Sequence, residues 1–274
     1  MSNIFITGAS SYLGLSVINT FKEHSFIGLE NKNKLPILPN LKSVKINKYS
    51  QLPDILNSNN IQAVLHFATN SLRGNDESNK YQIFKVNYEL GEALLNSSID
   101  LNIKKFITTG TYSQNIFNIL PNYYVETKKL FQQLLIRNAE QNIDITNLHL
   151  GDVYGPYDFR NKLIPYLLKN EDQYSVNFLS NGLGPFSPVH INDVLFEIKK
   201  ALNDKNLKGS YVETLVATKV RTVKTFISQY KEIRGKTFIP LYEEDLYNPY
   251  QDYLELDKDK LVFNIDIKEG LNTI

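Results

Sequence analysis

Tyr124 and Lys128 stand four residues apart in the stretch Tyr124-Val125-Glu126-Thr127-Lys128. A phenol of ordinary pKa, about 10, is a poor proton donor or acceptor at neutral pH. A neighbouring ammonium favours the phenolate, so a Tyr–Lys pair can do acid–base work that a lone tyrosine cannot. Positions four apart share one face of a helix, which lets Lys128 sit beside Tyr124. The chain has 17 tyrosines, enough for such a pair to arise by chance. Tyr123 has Thr127 at that spacing and Lys129 has Val125, so only Tyr124 with Lys128 completes the pair here. Upstream, Thr108-Thr109-Gly110-Thr111 offers the Thr111 hydroxyl as a hydrogen-bonding partner for a carbonyl or alkoxide oxygen. A turn or cap hydroxyl is the plainer reading of the same residue.

The opening run, Ile4-Phe5-Ile6-Thr7-Gly8-Ala9-Ser10-Ser11-Tyr12-Leu13-Gly14, is a strand followed by a glycine turn. Such a turn lets backbone N–H groups approach a pyrophosphate, and the helix that follows adds a favourable dipole. Gly8 and Gly14 fill two of three expected glycine positions, with Ser11 at the middle one. Any α/β protein can carry a strand–glycine–helix turn, so alone it is ambiguous. Glu30 ends the second strand, where an acid can bind both ribose hydroxyls and repel a 2′-phosphate. Lys32 and Lys34 nearby could instead welcome that phosphate, so Glu30 leans only slightly to NAD. His66-Phe67-Ala68-Thr69 ends the fourth strand at the edge expected to face a cofactor, and His66 reads as a packed strand residue. A dinucleotide turn followed by a proton-moving pair suggests a nicotinamide enzyme that reduces a carbonyl or oxidises an alcohol.

The elements that must position these groups alternate. Strands are expected at Asn3–Thr7, Ser25–Leu29, Ser43–Ile46, Ala63–Ala68, Lys105–Thr109 and Ile143–Leu150. Helices are expected at Tyr12–Glu23, Tyr49–Ser58, Tyr81–Asn96 and Tyr124–Gln141. That alternation calls for a doubly wound parallel α/β sheet of the Rossmann kind. After Gly155-Pro156 the pattern loosens: an arm and helix over Tyr157–Asn170, helices at Asp193–Asn203 and Val223–Gly235, and a helix and tail from Asp257. The dinucleotide domain is therefore placed at residues 1–155, joined by about 184–200. Residues 156–274 are mainly a smaller mixed substrate subdomain.

The 274 residues suffice for one large α/β domain with an appendage. A net charge of +1 gives no reason to expect nucleic acid or an anionic membrane. The absence of Cys excludes disulfides, a thiolate nucleophile and Cys-ligated metal, and no metal is expected. With no run of membrane-spanning length, the protein is expected in the cytoplasm.

Together these residues resemble the extended short-chain dehydrogenase/reductase superfamily, the NAD-dependent epimerase/dehydratase family, in its nucleotide-sugar branch. Thr7-Gly8-x-x-Ser11-x-x-Gly14 resembles its TGxxGxxG turn, His66-Phe67-Ala68 its H-L-A strand end and Val86-Asn87 its N-V pair. Thr111, Tyr124 and Lys128 fall on its Ser/Thr–Tyr–Lys triad. Asp152-Val153-Tyr154-Gly155-Pro156 resembles its N-V-Y-G-P segment, Val189–Val194 its V-H-I-D-D-V and Glu269-Gly270-Leu271 its final E-G-L. The resemblance implies that NAD(P)H lies against Gly8, Ser10, Ser11, Tyr12, Leu13, Gly14, Glu30, Phe67, Ala68, Thr69, Asn87, Val153, Tyr124 and Lys128. It implies a nucleotide-sugar substrate near Arg73, Thr111, Tyr112 and Asp152. Phe186-Ser187-Pro188 stands where many members carry R-D-F, so the diphosphate must find another cation. Arg160, Lys162 and Arg221 are the candidates, each also readable as a solvated surface charge. His149 and Asp152 replace the usual Arg and Asn.

Sugar 4,6-dehydratases of this branch carry an Asp-Glu pair directly after the triad Thr, where this chain has Tyr112-Ser113. GDP-fucose synthase-like members use a cysteine base, which is absent here. What remains is 4-keto reduction or 4-epimerisation. The short chain and the run from Tyr154 to Lys162 look most like 4-ketoreductases of CDP- or dTDP-linked 6-deoxy sugars, enzymes of surface polysaccharide such as O-antigen and lipopolysaccharide. A UDP-hexose 4-epimerase holding NAD tightly and a non-catalytic dinucleotide-binding protein are the alternatives. Relatives pair through helices equivalent to Glu89–Ser97 and Tyr124–Arg137, which implies a homodimer. Leu130, Leu134 and Leu135 suit that face or the core equally.

Overall fold

The computed structural model describes residues 2–31, 34–71, 77–115, 122–205, 209–243 and 261–274. In chain order the strands are β1 (Asn3–Thr7), β2 (Ser25–Leu29), β3 (Leu41–Val44), β4 (Ala63–His66), β5 (Lys105–Thr111), β6 (Asp144–Leu150), β7 (Asp152–Tyr154), β8 (Ser175–Phe178), β9 (Pro185–Phe186), β10 (Pro188–His190), β11 (Tyr211–Val216), β12 (Arg221–Thr222) and β13 (Ile239–Tyr242). The α-helices are α1 (Tyr12–Thr20), α2 (Leu52–Ser58), α3 (Glu77–Phe84), α4 (Leu90–Asp100), α5 (Tyr123–Arg137), α6 (Leu163–Asn170), α7 (Ile191–Asn203), α8 (Val223–Arg234) and α9 (Ile267–Leu271).

A seven-stranded parallel sheet has the order β11-β6-β5-β4-β1-β2-β3. Its central strands β1, β4 and β5 are buried almost end to end, as parallel strands covered on both faces must be. Phe5, Val64, Phe106 and Ile145 of the sheet pack with Leu94, Leu95, Phe131 and Leu135 from the covering helices. The strand order reverses between β1 and β4, which opens a crevice at their carboxyl ends. Register aligns those ends: Thr7 lies opposite His66, and His66 opposite Thr108. The residues that follow them, Gly8, Phe67 and Thr109, therefore emerge at one edge.

The chain divides into two compact units. The first takes Met1–Gln114, Pro121–His149 and Leu195–Thr214 and holds most of the large sheet. The second takes Asn115–Leu120, Leu150–Val194 and Leu215–Ile274. It is built on two-stranded pairings, β7 with β10, β9 with β12 and β8 with β13. Its core gathers Tyr154, Leu167, Phe226, Tyr230 and Leu271. Among the described residues no helix is long and apolar enough to cross a membrane.

Several boundaries differ from expectation for identifiable reasons. The third strand lies at Leu41–Val44, not Ser43–Ile46, because it pairs residue by residue with Phe26–Leu29. The helix expected at Tyr81–Asn96 begins at Glu77 and is interrupted by a π-helical turn, Lys85–Glu89, before α4 continues to Asp100. Helix α5 stops at Arg137, where the Asn138 amide back-bonds to the Leu134 carbonyl, and Asn142 turns at φ 57° into β6. The seventh strand, Tyr211–Val216, follows a left-handed turn at Gly209 and was not expected. Most of the acidic, tyrosine-rich stretch Tyr242–Asp252 lies outside the described residues.

Candidate active site

The turn after β1 is shaped by contacts that exclude side chains. Gly8 has φ +70°, and a Cβ there would lie 2.7 Å from the Phe67 carbonyl carbon. A Cβ on Gly14 would lie 2.3 Å from the Gly8 carbonyl oxygen, so α1 sits directly on the turn. Ser11 caps α1, its hydroxyl accepting the Gly14 N–H at 3.0 Å. Ser10 and Ser11 are exposed, Tyr12 and Leu13 half-buried, and no acidic residue stands in the first turn of α1. A bare backbone cradle at the positive end of a helix suits an anionic pyrophosphate, so these residues fit a dinucleotide.

The end of β4 is braced from below. The Thr7 hydroxyl accepts the Ala68 N–H at 3.1 Å and lies 2.8 Å from His66 Nδ1. His66 is 1 % exposed and packs edge-on against Phe131 at 5.6 Å between ring centroids. Burial first, then the Lys128 charge, pulls its pKa down to about 3, which keeps the ring neutral. His66 is thus the packed strand residue. Asn87, in the π-helical turn, is fully buried. It accepts the Asn70 N–H at 2.7 Å and the Thr69 hydroxyl at 3.2 Å, and donates to the Asn70 carbonyl and the Thr127 hydroxyl. Its amide acts on the Thr69–Asn70 loop and on the residue before Lys128. Glu30 pairs with Lys45 at 2.9 Å, and that hydrogen bond holds its carboxyl below the ordinary range.

Thr111 ends β5, and Tyr124 and Lys128 lie on α5, all within the first unit. Asn122 caps α5 by accepting the Tyr124 N–H at 3.0 Å, which fixes where the helix starts and so which way its first turn faces. Tyr124 is half-buried and Lys128 is 3 % exposed. The ammonium donates to the Thr109 carbonyl at 2.8 Å, tying α5 to the end of β5. Burial lowers the Lys128 pKa to about 8. Thr111 Oγ1 accepts the Ser113 N–H at 3.3 Å, the role of a turn hydroxyl, and this leaves its O–H able to donate elsewhere. Gln114, which the sequence reading passed over, accepts the Thr111 N–H at 2.8 Å. Its place three residues after Thr111 was the available signal. Tyr112 is buried.

Asp152, Val153, Arg160, Lys162 and Arg221 belong to the second unit. Asp152 accepts the Ser187 N–H at 2.9 Å and so joins β7 to the start of β10. Arg160 holds Asp158 through two nitrogens, at 2.7 and 2.8 Å, and donates to the Val153 carbonyl at 2.7 Å. Arg221 is half-buried and bonds to Gln229, while Lys162 is exposed and leads into α6. Arg73 lies outside the described residues. No cluster of His, Asp or Glu among the described residues could hold a metal ion.

A parallel sheet with its glycine turn at the strand-order switch defines a dinucleotide-binding protein of the short-chain dehydrogenase/reductase type. The chain belongs to the NAD dependent epimerase/dehydratase family, whose model matches residues 4–212, and its cofactor is accordingly a nicotinamide dinucleotide. It is similar to a CDP-abequose synthase of Salmonella muenchen, 30% identical over 181 residues that cover 62% of this chain and 60% of that protein. The match thus spans about three-fifths of that relative's length. A CDP-abequose synthase of Salmonella typhimurium is 25% identical over 226 residues, 78% of this chain and 75% of the relative. In structure the chain is similar to the UDP-glucose 4-epimerase of Thermotoga maritima, at TM-score 0.78 and 19% identity, covering 99% of this chain and 96% of that one. The Bordetella bronchiseptica enzyme WbmG in complex with NAD gives TM-score 0.79 at 17% identity, covering 99% and 92%. At these identities the structural likeness is one of fold.

Proposed function

We propose that the protein reduces the C4 keto group of a CDP- or dTDP-linked 4-keto-6-deoxyhexose. The observation that carries this reading is the Thr111–Tyr124–Lys128 set with Tyr112-Ser113 directly after Thr111, where no carboxylate stands to drive water loss. The names of the two curated relatives support a cytidine diphosphate sugar. NAD(P)H, when bound, supplies the hydride. Tyr124 gives its phenolic proton to the C4 oxygen as negative charge grows there, and the Thr111 hydroxyl donates to the same oxygen. Lys128 favours the phenolate left behind and holds the nicotinamide ribose. The turn from Gly8 to Gly14 holds the pyrophosphate, with Phe67, Ala68, Thr69 and Val153 along the cofactor and Glu30 at its adenosine end.

Tyr112 and Asp152 are proposed substrate contacts, with Arg73. Of the cations proposed for the diphosphate, Arg160 and Arg221 already hold protein partners, so Lys162→Ala is the first substitution to try. The reading places the enzyme in the cytoplasm, making a deoxysugar donor for surface polysaccharide. It also makes the protein a homodimer through α5, where Leu130 and Ile136 are exposed while Leu135 is core.

The test follows NAD(P)H absorbance with CDP- and dTDP-4-keto-6-deoxyglucose, each generated in place by its own 4,6-dehydratase. Consumption with one of them supports 4-keto reduction and names the nucleotide. No consumption with either, in protein that still binds NAD(P), ends this reading. NAD retained through purification, with no net consumption, would then point to 4-epimerisation.

A further inference from the structure

The N–H of Thr111 is the near end of a longer chain of polar groups, all in the first unit. Gln114 Oε1 accepts that N–H at 2.8 Å, and Gln114 Nε2 donates to Gln132 Oε1 of α5 at 3.0 Å. Gln132 Nε2 in turn donates to Glu213 Oε2 on β11, the outermost strand of the sheet. Tyr211 donates its hydroxyl to the same Glu213 oxygen at 2.8 Å. The other oxygen, Oε1, lies 3.6 Å from Nδ1 of the fully buried His149. Asn147 approaches His149 Nε2 at 3.0 Å with its amide nitrogen, a donor, which leaves the ring proton on Nδ1 facing the carboxylate. Gly110 makes the near end possible. A Cβ there would lie 2.4 Å from His149 Cδ2 and 2.6 Å from Gln114 Oε1.

Direction is the informative property of this chain. A carboxylate only accepts, whereas a glutamine amide can present either end. Glu213 therefore selects the Gln132 orientation with its NH2 outward along the chain and its carbonyl inward. That carbonyl selects the NH2 of Gln114, which leaves the Gln114 carbonyl for Thr111. An amide at position 213 would permit the reverse order, with the NH2 of Gln114 turned towards the Thr111 N–H and no acceptor for it.

We propose that Glu213 is a positioning residue for Thr111, fixing through Gln132 and Gln114 the backbone that carries the Thr111 hydroxyl. The proposal rests on the reading of Thr111 as a donor to the reacting oxygen. Glu213 itself is exposed at the sheet edge, so its isosteric replacement leaves the core intact.

The experiment compares wild type with Glu213→Gln, Gln132→Leu and their double variant by two readouts. Amide hydrogen exchange at Thr111 reads the relay without any substrate. The kcat and KM of keto-sugar reduction read its consequence. In Glu213→Gln, exchange at Thr111 is expected to quicken by roughly fivefold or more, as protection is lost locally. Its kcat is expected to fall about tenfold with KM within about twofold, as for a contact made in the transition state. The double variant should be no worse than Gln132→Leu, because one chain is broken twice. Unchanged exchange in Glu213→Gln overturns the relay. Faster exchange with unchanged kcat overturns the positioning role, and if Thr111→Ala also leaves kcat unchanged, the reading of Thr111 falls with it.

Discussion

At the scale of single residues, the proposed reaction turns on one phenol and one ammonium. Tyr124→Phe keeps the ring and the helix but removes the proton. Turnover is expected to drop by roughly 10²–10⁴-fold, while titration of cofactor fluorescence gives near wild-type affinity. Near-full activity would remove Tyr124 from the chemistry. Lys128 makes a prediction about pH. Burial depresses its pKa from 10.5 to about 8, so the native state sheds this proton before the unfolded chain does. Below pH 8 both states hold the proton and the burial penalty is fully present. Between about 8 and 10.5 the unfolded state binds more protons, so Lys128 adds stability as pH rises through that window. The gap of about 2.5 units corresponds to roughly 3 kcal/mol at most. Denaturant unfolding of wild type and Lys128→Met across that range should show the difference between them moving in favour of wild type. Turnover of the wild type should fall over the same rise, as the charge beside Tyr124 is lost. Tyr124 and Lys128 could be picked out in the sequence because four-residue spacing is a local property of a helix. Gln132 and Glu213 could not, because their bonds join a turn, a helix and an edge strand that only the tertiary fold brings together.

At the scale of elements, the glycine turn works by proximity. Gly14→Ala would force a Cβ to 2.3 Å from the Gly8 carbonyl oxygen, so α1 must shift off the turn. Overpacking of this kind costs about 1–3 kcal/mol, and cofactor affinity should fall with it. Gly235→Ala is the matched control. It has φ +63° as the C-cap of α8 but meets nothing within 4 Å, so it should lose about 1 kcal/mol with cofactor binding unchanged. Thermal unfolding and fluorescence titration of the two variants separate local strain from damage to the cradle. Six strands of the large sheet were readable because buried parallel strands appear as apolar runs between amphipathic helices, whereas β11 at the sheet edge was not. The π-helical turn at Lys85–Glu89 was hidden because it leaves no mark on the apolar spacing, and the partners of its Asn87, Asn70 and Thr127, lie in other segments. Strands such as Pro185–Phe186 and Arg221–Thr222 are too short to show any periodicity.

At the scale of the whole molecule, the second unit buries a carboxylate where the first buries an ammonium. Burial works to raise the Glu171 carboxyl, but hydrogen bonds from Arg234, Tyr230 and Lys236 outweigh it and hold the group below its ordinary range. A depressed carboxyl stabilises the fold above the ordinary carboxylate range, and that stability is lost as pH falls through the native pKa. Glu171→Gln should therefore lose about 3 kcal/mol near neutral pH, as expected when one member of a buried cluster is neutralised. The deficit should shrink in acid, as followed by denaturant midpoints from neutral pH downward. Arg234 also reaches the Leu271 and Ile274 carbonyls, so the same cluster ties down the end of the chain.

The two units are not consecutive lengths of chain. β11, which completes the large sheet, is drawn from residues 211–216, after the whole of the second unit's Leu150–Val194 segment has passed. A ribosome making this protein N-terminus first must therefore translate past Val216 before the sheet can close. Until then β6 presents an open edge, and the nascent sheet carries the hazard of an unpaired strand. No contiguous gene fragment encodes either unit, so neither can be obtained by simple truncation.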